Sequence, residues 1–184
     1  MDDSIFIYQS KYAKKIVKKF WMENARHKRT HAPTHMNLSK DKYGVVVDQS
    51  LYRSMIGSLL YLTSSRPDIT FAVNVCARYQ ADPKTSHINQ VKIIFKYING
   101  TSDYIMLYSH GSGSMLVGYC DADWAGSADD RKSTFGGCFF LGNNIISWFS
   151  KKQKCVSLST AEVEHIIVES SCSQLMWMKQ MLKE

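Results

Sequence analysis

The five cysteines, at positions 76, 120, 138, 155 and 172, include no CxxC pair, and their odd number leaves no complete disulfide framework. No His and Cys spacing suits a zinc site. Reduced, mostly buried thiols are the expectation. Long apolar runs are lacking too. The longest uncharged stretch, Ser133 to Ser150, carries Gly136, Gly137, Gly142, Asn143 and Asn144, so it reads as a hairpin and not as a membrane span. No signal peptide opens the sequence. Met1-Asp2-Asp3 is acidic, and Lys14, Lys15, Lys18 and Lys19 arrive without a following apolar segment. Internal repeats, low-complexity segments and a disordered tail are absent. These absences argue against a secreted disulfide scaffold, a zinc module and a membrane protein. A cytoplasmic or nuclear setting is expected.

What is present suits a folded chain. The 184 residues are 45% apolar and 21% charged, enough for one good core or two small domains. The net charge of +7 is unevenly spread. Residues 1–49 hold ten Lys/Arg against five Asp/Glu, residues 50–110 six against three, and residues 111–184 seven against eight. The basic part can attract phosphate backbones. A mild basic excess also serves solubility alone, and composition does not separate the two.

Periodicity organises the chain into helices first and strands later. Residues 4–9 suit a short strand. Residues 11–21 read as a basic amphipathic helix, with Tyr12, Ile16, Val17 and Phe20 at helical spacing and lysines on the other side. Residues 24–47 have no firm period and read as a loop. Its His27, His31 and His35 sit four apart, but Pro33 breaks a helical reading, so a metal cluster there is a weak expectation. Three helices follow. One spans Leu51 to Leu62, facing Leu51, Met55, Ile56, Leu59 and Leu60 inward, with close packing expected at Gly57. A second begins near Pro67-Asp68 and carries Ile69, Ala72, Val73 and Cys76. A third begins at Asp82-Pro83, as N-cap and first helical residue. It buries Ile88, Val91, Ile94, Phe95 and Ile98 and stops at Gly100. Strands are expected at 104–109, 115–121, 135–141 and 145–149, the last two joined across Gly142-Asn143-Asn144. A helix from about Thr160 to Leu182 closes the pattern, with Ser159 and Glu162 at capping-box spacing.

The chemistry concentrates in two acidic pairs. Asp121 and Asp123 lie two apart at the end of an apolar strand, so they face the same way. Asp121 is the better metal ligand, while Asp123 can instead cap the turn before Trp124. Glu162 is accounted for by the amide at Ser159. Glu164 has no such partner and is expected to border the buried side of its helix, near Ile167, Val168 and Ser171, where a carboxylate needs a partner or a cation. Ser157, Ser159 and Thr160 are not convincing nucleophiles, and His165 points about 100° away from Glu164 round the helix. Arg131, Lys132, Lys151 and Lys152 occupy charged turns that read either as solvated loops or as nucleic-acid contacts.

Several long motifs in order then resemble a known family. Tyr52-Arg53-Ser54-Met55-Ile56-Gly57-Ser58-Leu59-Leu60-Tyr61-Leu62 and Arg66-Pro67-Asp68-Ile69 look like the stretch after the polymerase palm in Copia-type retrotransposon Pol polyproteins. So do Gln9-Ser10-Lys11-Tyr12 and Lys19-Phe20-Trp21-Met22, where the family usually has Gly in place of Trp21. The later half resembles the ribonuclease H domain of those polyproteins. Its marks are Gly118-Tyr119-Cys120-Asp121-Ala122-Asp123-Trp124-Ala125-Gly126, Asp130-Arg131-Lys132-Ser133-Thr134, Ile146-Ser147-Trp148, Ser150-Lys151-Lys152-Gln153 and Leu158-Ser159-Thr160-Ala161-Glu162-Val163-Glu164.

The resemblance implies an α+β fold in three parts. Residues 1–48 would be the end of a palm with a thumb-like segment, and 49–110 a helical connection. Residues 111–184 would be an incomplete ribonuclease H-like domain with three antiparallel strands and one helix. It implies Asp121 and Glu164 as catalytic and metal ligands, with His165 replacing the usual Tyr. Mg²⁺, or alternatively Mn²⁺, would be the cofactor, and an RNA/DNA hybrid or duplex the partner. The polymerase's own acidic motif would lie upstream, and the remaining ribonuclease H carboxylates would lie beyond residue 184. Cleavage of the RNA strand would then be lost or very weak, leaving a non-catalytic binding remnant as the alternative. The strand carrying Asp121 would become an exposed edge open to self-association.

Overall fold

The computed structural model describes residues 4–32, 38–111 and 113–183. His35 and Pro33, part of the expected histidine series, lie outside them. The fold is mixed helix and strand. In chain order the elements are β1 (Ser4–Ile7), α1 (Ser10–Lys19), α2 (Gln49–Leu62), a single 3₁₀ turn (Pro67–Ile69), α3 (Thr70–Ala77), α4 (Thr85–Gly100), β2 (Met106–Ser109), β3 (Leu116–Ala122), β4 (Thr134–Leu141), β5 (Asn144–Lys152) and α5 (Thr160–Met181). The chain divides into two compact units. One is Ile7–Met106; the other joins Met1–Phe6 to Leu107–Glu184. No helix among the described residues is long and apolar enough to cross a membrane.

The Ile7–Met106 unit is a helical cluster around one core. α1 contributes Ala13, Ile16 and Val17, and leaves Lys11, Lys14, Lys15, Lys18 and Lys19 exposed on its other side. α2 starts at Asp48, whose carboxylate accepts hydrogen bonds from the amides of Ser50 and Leu51. Its buried residues are Tyr52, Met55, Ile56, Leu59 and Leu62. The inward set expected from spacing is therefore rotated. Leu51 and Leu60 stay over a third exposed, while Tyr52 is fully buried and donates its hydroxyl to the Cys76 carbonyl. A tyrosine with a satisfied hydroxyl buries as well as a leucine. A side chain at Gly57 would enter open space, so the close packing expected there is not formed.

α4 buries the anticipated Ile88, Val91, Ile94, Phe95 and Ile98, but it begins later than expected. Asp82 is not its cap; it pairs with Lys84 at 3.0 Å. The first turn is closed by His87 instead, whose Nδ1 accepts the Lys84 amide at 2.9 Å. Its Nε2–H donates to the Ser39 carbonyl at 2.6 Å, and its ring stacks on Tyr79. Both ring nitrogens of this fully buried histidine thereby have a hydrogen-bond partner. A second buried polar device ties the helices together. Arg66 reaches both carboxylate oxygens of Asp68 and also the carbonyl and hydroxyl of Thr101, while Tyr97 donates to Asp68. Burial alone would raise the Asp68 pKa. The Arg66 guanidinium and the Tyr97 hydroxyl overcome that and hold the carboxyl below its usual range.

In the other unit, β3, β4 and β5 form an antiparallel sheet in that order, covered on one face by α5. β4 and β5 turn at Gly142-Asn143, and the register slips once between Phe139 and Phe140. Phe139 is the fully buried centre. A Cβ on Gly118, its partner across β3, would stand 2.9 Å from the Phe139 ring and 3.0 Å from Leu175 of α5. Glycine is what lets the helix sit down on the sheet there. β1 and β2 pair into a separate two-stranded ribbon. Asn144 exchanges two hydrogen bonds with the backbone of Ser109, tying β2 to the β4–β5 turn. Of the five thiols only Cys76 is buried, and burial pushes it up to about 12. Cys155 and Cys172 are exposed, which corrects the expectation of mostly buried cysteines.

Candidate functional site

The apolar alternation of β3 continues to its end and delivers Asp121 there. Gly118 faces α5, so Cys120 and Ala122 share that side, and Tyr119 and Asp121 leave the sheet on the opposite, open face. Asp121 is exposed, and one carboxylate oxygen accepts the amide of Ala122 at 2.9 Å. Asp123 has a structural task. Its backbone N–H donates to the Thr134 carbonyl, and its carboxylate accepts the Thr134 amide. The loop from 124 to 133 is thereby closed at its base. A Cβ on Gly126 would collide with the same carboxylate, so a side chain there would displace Asp123 from its present position.

α5 runs back along β3 in the opposite sense. Leu116, at the start of β3, lies with Leu175, Met176, Lys179 and Leu182 around a hollow of about 460 Å³. At the other end the Trp124 indole N–H donates to the Ser157 carbonyl, just before the helix begins. This antiparallel run brings Asp121 and Glu164 to the same end of the strand–helix pair. Glu164 is exposed, and the buried residues of α5 are Val163, Ile167, Ser171 and Met178. Glu164 therefore flanks the buried stripe, three residues before Ile167 and seven before Ser171, while being exposed itself. Glu162 is held as a cap, although its carboxylate accepts the amide of Leu158 at 2.7 Å and not that of Ser159. The Ser159 hydroxyl accepts the Glu162 amide in return.

The charged turns resolve individually. Arg131 is exposed, with a left-handed φ of 57°, and its amide donates to the Ser127 carbonyl. Lys152 is half-buried and pairs with Asp130 at 2.7 Å. Burial opposes ionisation of Asp130, but hydrogen bonds from Lys152, Ser127 and the Lys132 amide bring its pKa down to about 2. Lys151 is exposed, with its ammonium 5.7 Å from the Phe149 ring centre.

Spacing did not reveal the polar chain beneath these residues. The Ala125 amide donates to the buried Ser133 hydroxyl, and the Ser133 carbonyl accepts the Gln153 amide. The Gln153 side-chain oxygen accepts the Ser157 hydroxyl at 3.1 Å. Ser133, Gln153 and Ser157 are each at least nine-tenths buried. Together they lock the loop after β3 to the segment before α5. Ser133 and Gln153 stand inside the sequence motifs quoted above, the one signal that could have marked them.

Comparison with known proteins supplies the lineage. The chain is 37% identical over 187 residues to the retrovirus-related Pol polyprotein from transposon TNT 1-94 of Nicotiana tabacum, covering 98% of this chain and 14% of that protein. It is 36% identical over 180 residues to the retrovirus-related Pol polyprotein from transposon RE2 of Arabidopsis thaliana, covering 98% and 12%. An uncharacterised mitochondrial protein of Arabidopsis thaliana is 38% identical over 176 residues, covering 94% of this chain and 72% of that one. The chain belongs to the retrotransposon Pol polyprotein family. It spans only about an eighth of the two polyproteins. No family model and no solved structure matches it.

For this Pol segment the metal expectation can be set against the donor groups present. Among the described residues, no three His, Cys, Asp or Glu side chains gather where they could hold a metal ion. Mg²⁺ is held by near-ideal octahedral oxygen sets, and a pair of ions needs several shared carboxylates. Asp121 and Glu164 are two carboxylates, fewer than a pair of ions needs, and no hydrolytic step follows from them.

Proposed function

We propose that this chain corresponds to reverse transcriptase and ribonuclease H segments of a Copia-type Pol polyprotein, and that it grips RNA/DNA hybrid or duplex nucleic acid while hydrolysing the RNA strand very weakly or not at all. The observation that carries the reading is the collection of lysines on exposed faces of the helical unit. α1 presents five lysines opposite its buried stripe, and Trp21, directly after it, is 82% exposed. Exposed ammonium groups next to an accessible aromatic ring suit a phosphate backbone with bases available for stacking. In the full site of the family, Asp121 and Glu164 would share divalent ions with further acids, and the ions would remove the repulsion between clustered carboxylates.

Binding and cutting separate in one experiment. Hybrid affinity is measured by fluorescence anisotropy across a salt series without divalent ions, and cleavage is followed with Mg²⁺ and with Mn²⁺. The expected outcome is affinity that falls steeply with salt and cleavage that is absent or slight, with any residual cleavage abolished by Asp121→Asn or Glu164→Gln. Absence of binding at low salt would remove the reading. Brisk cleavage would restore the enzymatic one.

A further inference from the structure

Between β5 and α5 lies an open groove of about 650 Å³. The expected site residues Asp121 and Glu164 take no part in it. Lys151 and Lys154 flank one side of it, and Ser170 and Ser173 of α5 flank the other. Gln153 lies between them and is 96% buried by its 4% exposure. Its amide oxygen is used by the Ser157 hydroxyl, but its amide nitrogen is buried without any hydrogen-bond partner. A buried N–H₂ left unsatisfied costs about 1–3 kcal/mol, so its retention at the wall of a groove needs an explanation. An oxygen acceptor entering the groove supplies one.

We propose that this groove holds the phosphodiester backbone of a nucleic acid, with the Gln153 amide and the Lys151 and Lys154 ammonium groups as donors. The assignment takes its ligand class from the nucleic-acid reading above and its place from the orphaned amide. The charges favour an anion. Lys152 is committed to Asp130, but Lys151 and Lys154 are both exposed at the rim, against the single acid Glu169. The Phe149 ring holds the Lys151 ammonium on the α5 side of the sheet, where the groove opens. Ser170 and Ser173, three apart on the helix, present hydroxyls along one line. Such a row suits a repeating backbone better than a lone ion. Two strand spacings separate β5 from β3, so the groove runs about 10 Å from the strand that carries Asp121.

The test uses the whole chain with EDTA present. The side-chain amide signals of Gln153 are followed by ¹⁵N–¹H NMR while a twelve-residue oligothymidylate is added, and Gln153→Leu identifies those signals by removing them. The signals should move saturably. The double variant Lys151→Gln/Lys154→Gln alters two exposed side chains and keeps the fold. It should weaken binding several-fold at low salt and flatten the slope of log K against log salt by about 1.4, two phosphate contacts at about 0.7 each. Lys179→Gln/Lys183→Gln should change neither quantity. If the Gln153 signals stay in place and the lysine pair leaves the slope unchanged while hybrid still binds, the groove assignment falls and the broader reading survives. If the signals move but hybrid is not held, the broader reading falls and the groove stands. Equal movement with polyglutamate of matched charge would overturn the assignment to phosphodiesters.

Discussion

Among the described residues, Ile7–Met106 buries twenty-two apolar side chains, whereas the unit built on Leu107–Glu184 buries four: Phe139, Val163, Ile167 and Met178. The two units are of similar length, so size does not explain the gap. The helical unit surrounds its core, with α1, α2, α3 and α4 each offering a stripe to the others. The strand unit covers one face of a three-stranded sheet with one helix and leaves the other face, and the outer edges of β3 and β5, without a paired strand among the described residues. Val168, Met176, Trp177 and Met181 of α5, and Leu182 just after it, remain about half exposed or more. Sheet and helix make two layers, but α5 contributes only three of the buried apolar side chains to the space between them. The comparison teaches that the helical unit is stabilised within itself. The strand unit depends on a few contacts and on its polar chain of Ser133, Gln153 and Ser157.

The largest expected effect tests that dependence. Phe139→Ala removes the centre of a four-residue core. With a loss of about 3–5 kcal/mol it should unfold the strand unit. Trp124, Trp148 and Trp177 lie in that unit and only Trp21 in the other, so tryptophan fluorescence reports one unit and helical circular dichroism mainly the other. Phe95→Ala should cost a similar amount yet leave a folded helical unit with a lowered denaturation midpoint. A single transition, shifted equally by both variants, would break the comparison.

Arg66→Met comes next. It strands the Asp68 carboxylate and the Thr101 carbonyl inside the helical unit, at a cost of about 3–5 kcal/mol. Urea denaturation should show this in the helical signal alone. Gly118→Ala should cost about 1–3 kcal/mol in the strand unit, because the new methyl meets Phe139 and Leu175 at 2.9 and 3.0 Å. An unchanged fluorescence midpoint would mean that α5 sits loosely on the sheet.

The smallest effect concerns pH. Asp130 falls from 3.8 to about 2 in the folded state, so its contribution is complete above 3.8 and disappears as pH drops through about 2. The pair with Lys152 is partly exposed, so the loss should stay below about 1 kcal/mol. Lys152→Met should reduce the acid dependence in a pH series of strand-unit stability, the Ser127 and Lys132 hydrogen bonds remaining. An undiminished dependence would assign it to another carboxylate.

The order of elements was legible because each helix in the first half carries an apolar stripe at helical spacing, and each strand in the second half is bounded by turn residues. α1, α3 and all four later strands lie where the pattern puts them. Details that depend on a neighbour were not legible. Tyr52 looks polar until its hydroxyl finds the Cys76 carbonyl, and Asp82-Pro83 looks like a helix start until His87 closes the turn two residues later. The same division runs through the candidate site. Glu162 could be recognised as a cap because capping is local, whereas the partner of Asp123 is Thr134, eleven residues away. Gln153 could not be recognised as buried, because its backbone is held by Ser133, twenty residues away, and α5 packs beside it.

Residue order alone determined the lineage, the α+β succession, the basic stripe of α1 and the presence of Asp121 and Glu164 on separate elements, since each is written in local spacing or continuous motif. Tertiary structure alone decided that these carboxylates come to one end of the strand–helix pair, that one unit has a full core and the other a thin one, and that an unsatisfied amide lines a basic groove. Those outcomes depend on which surfaces meet across long stretches of chain, and spacing within one segment carries no information about the segment packed against it.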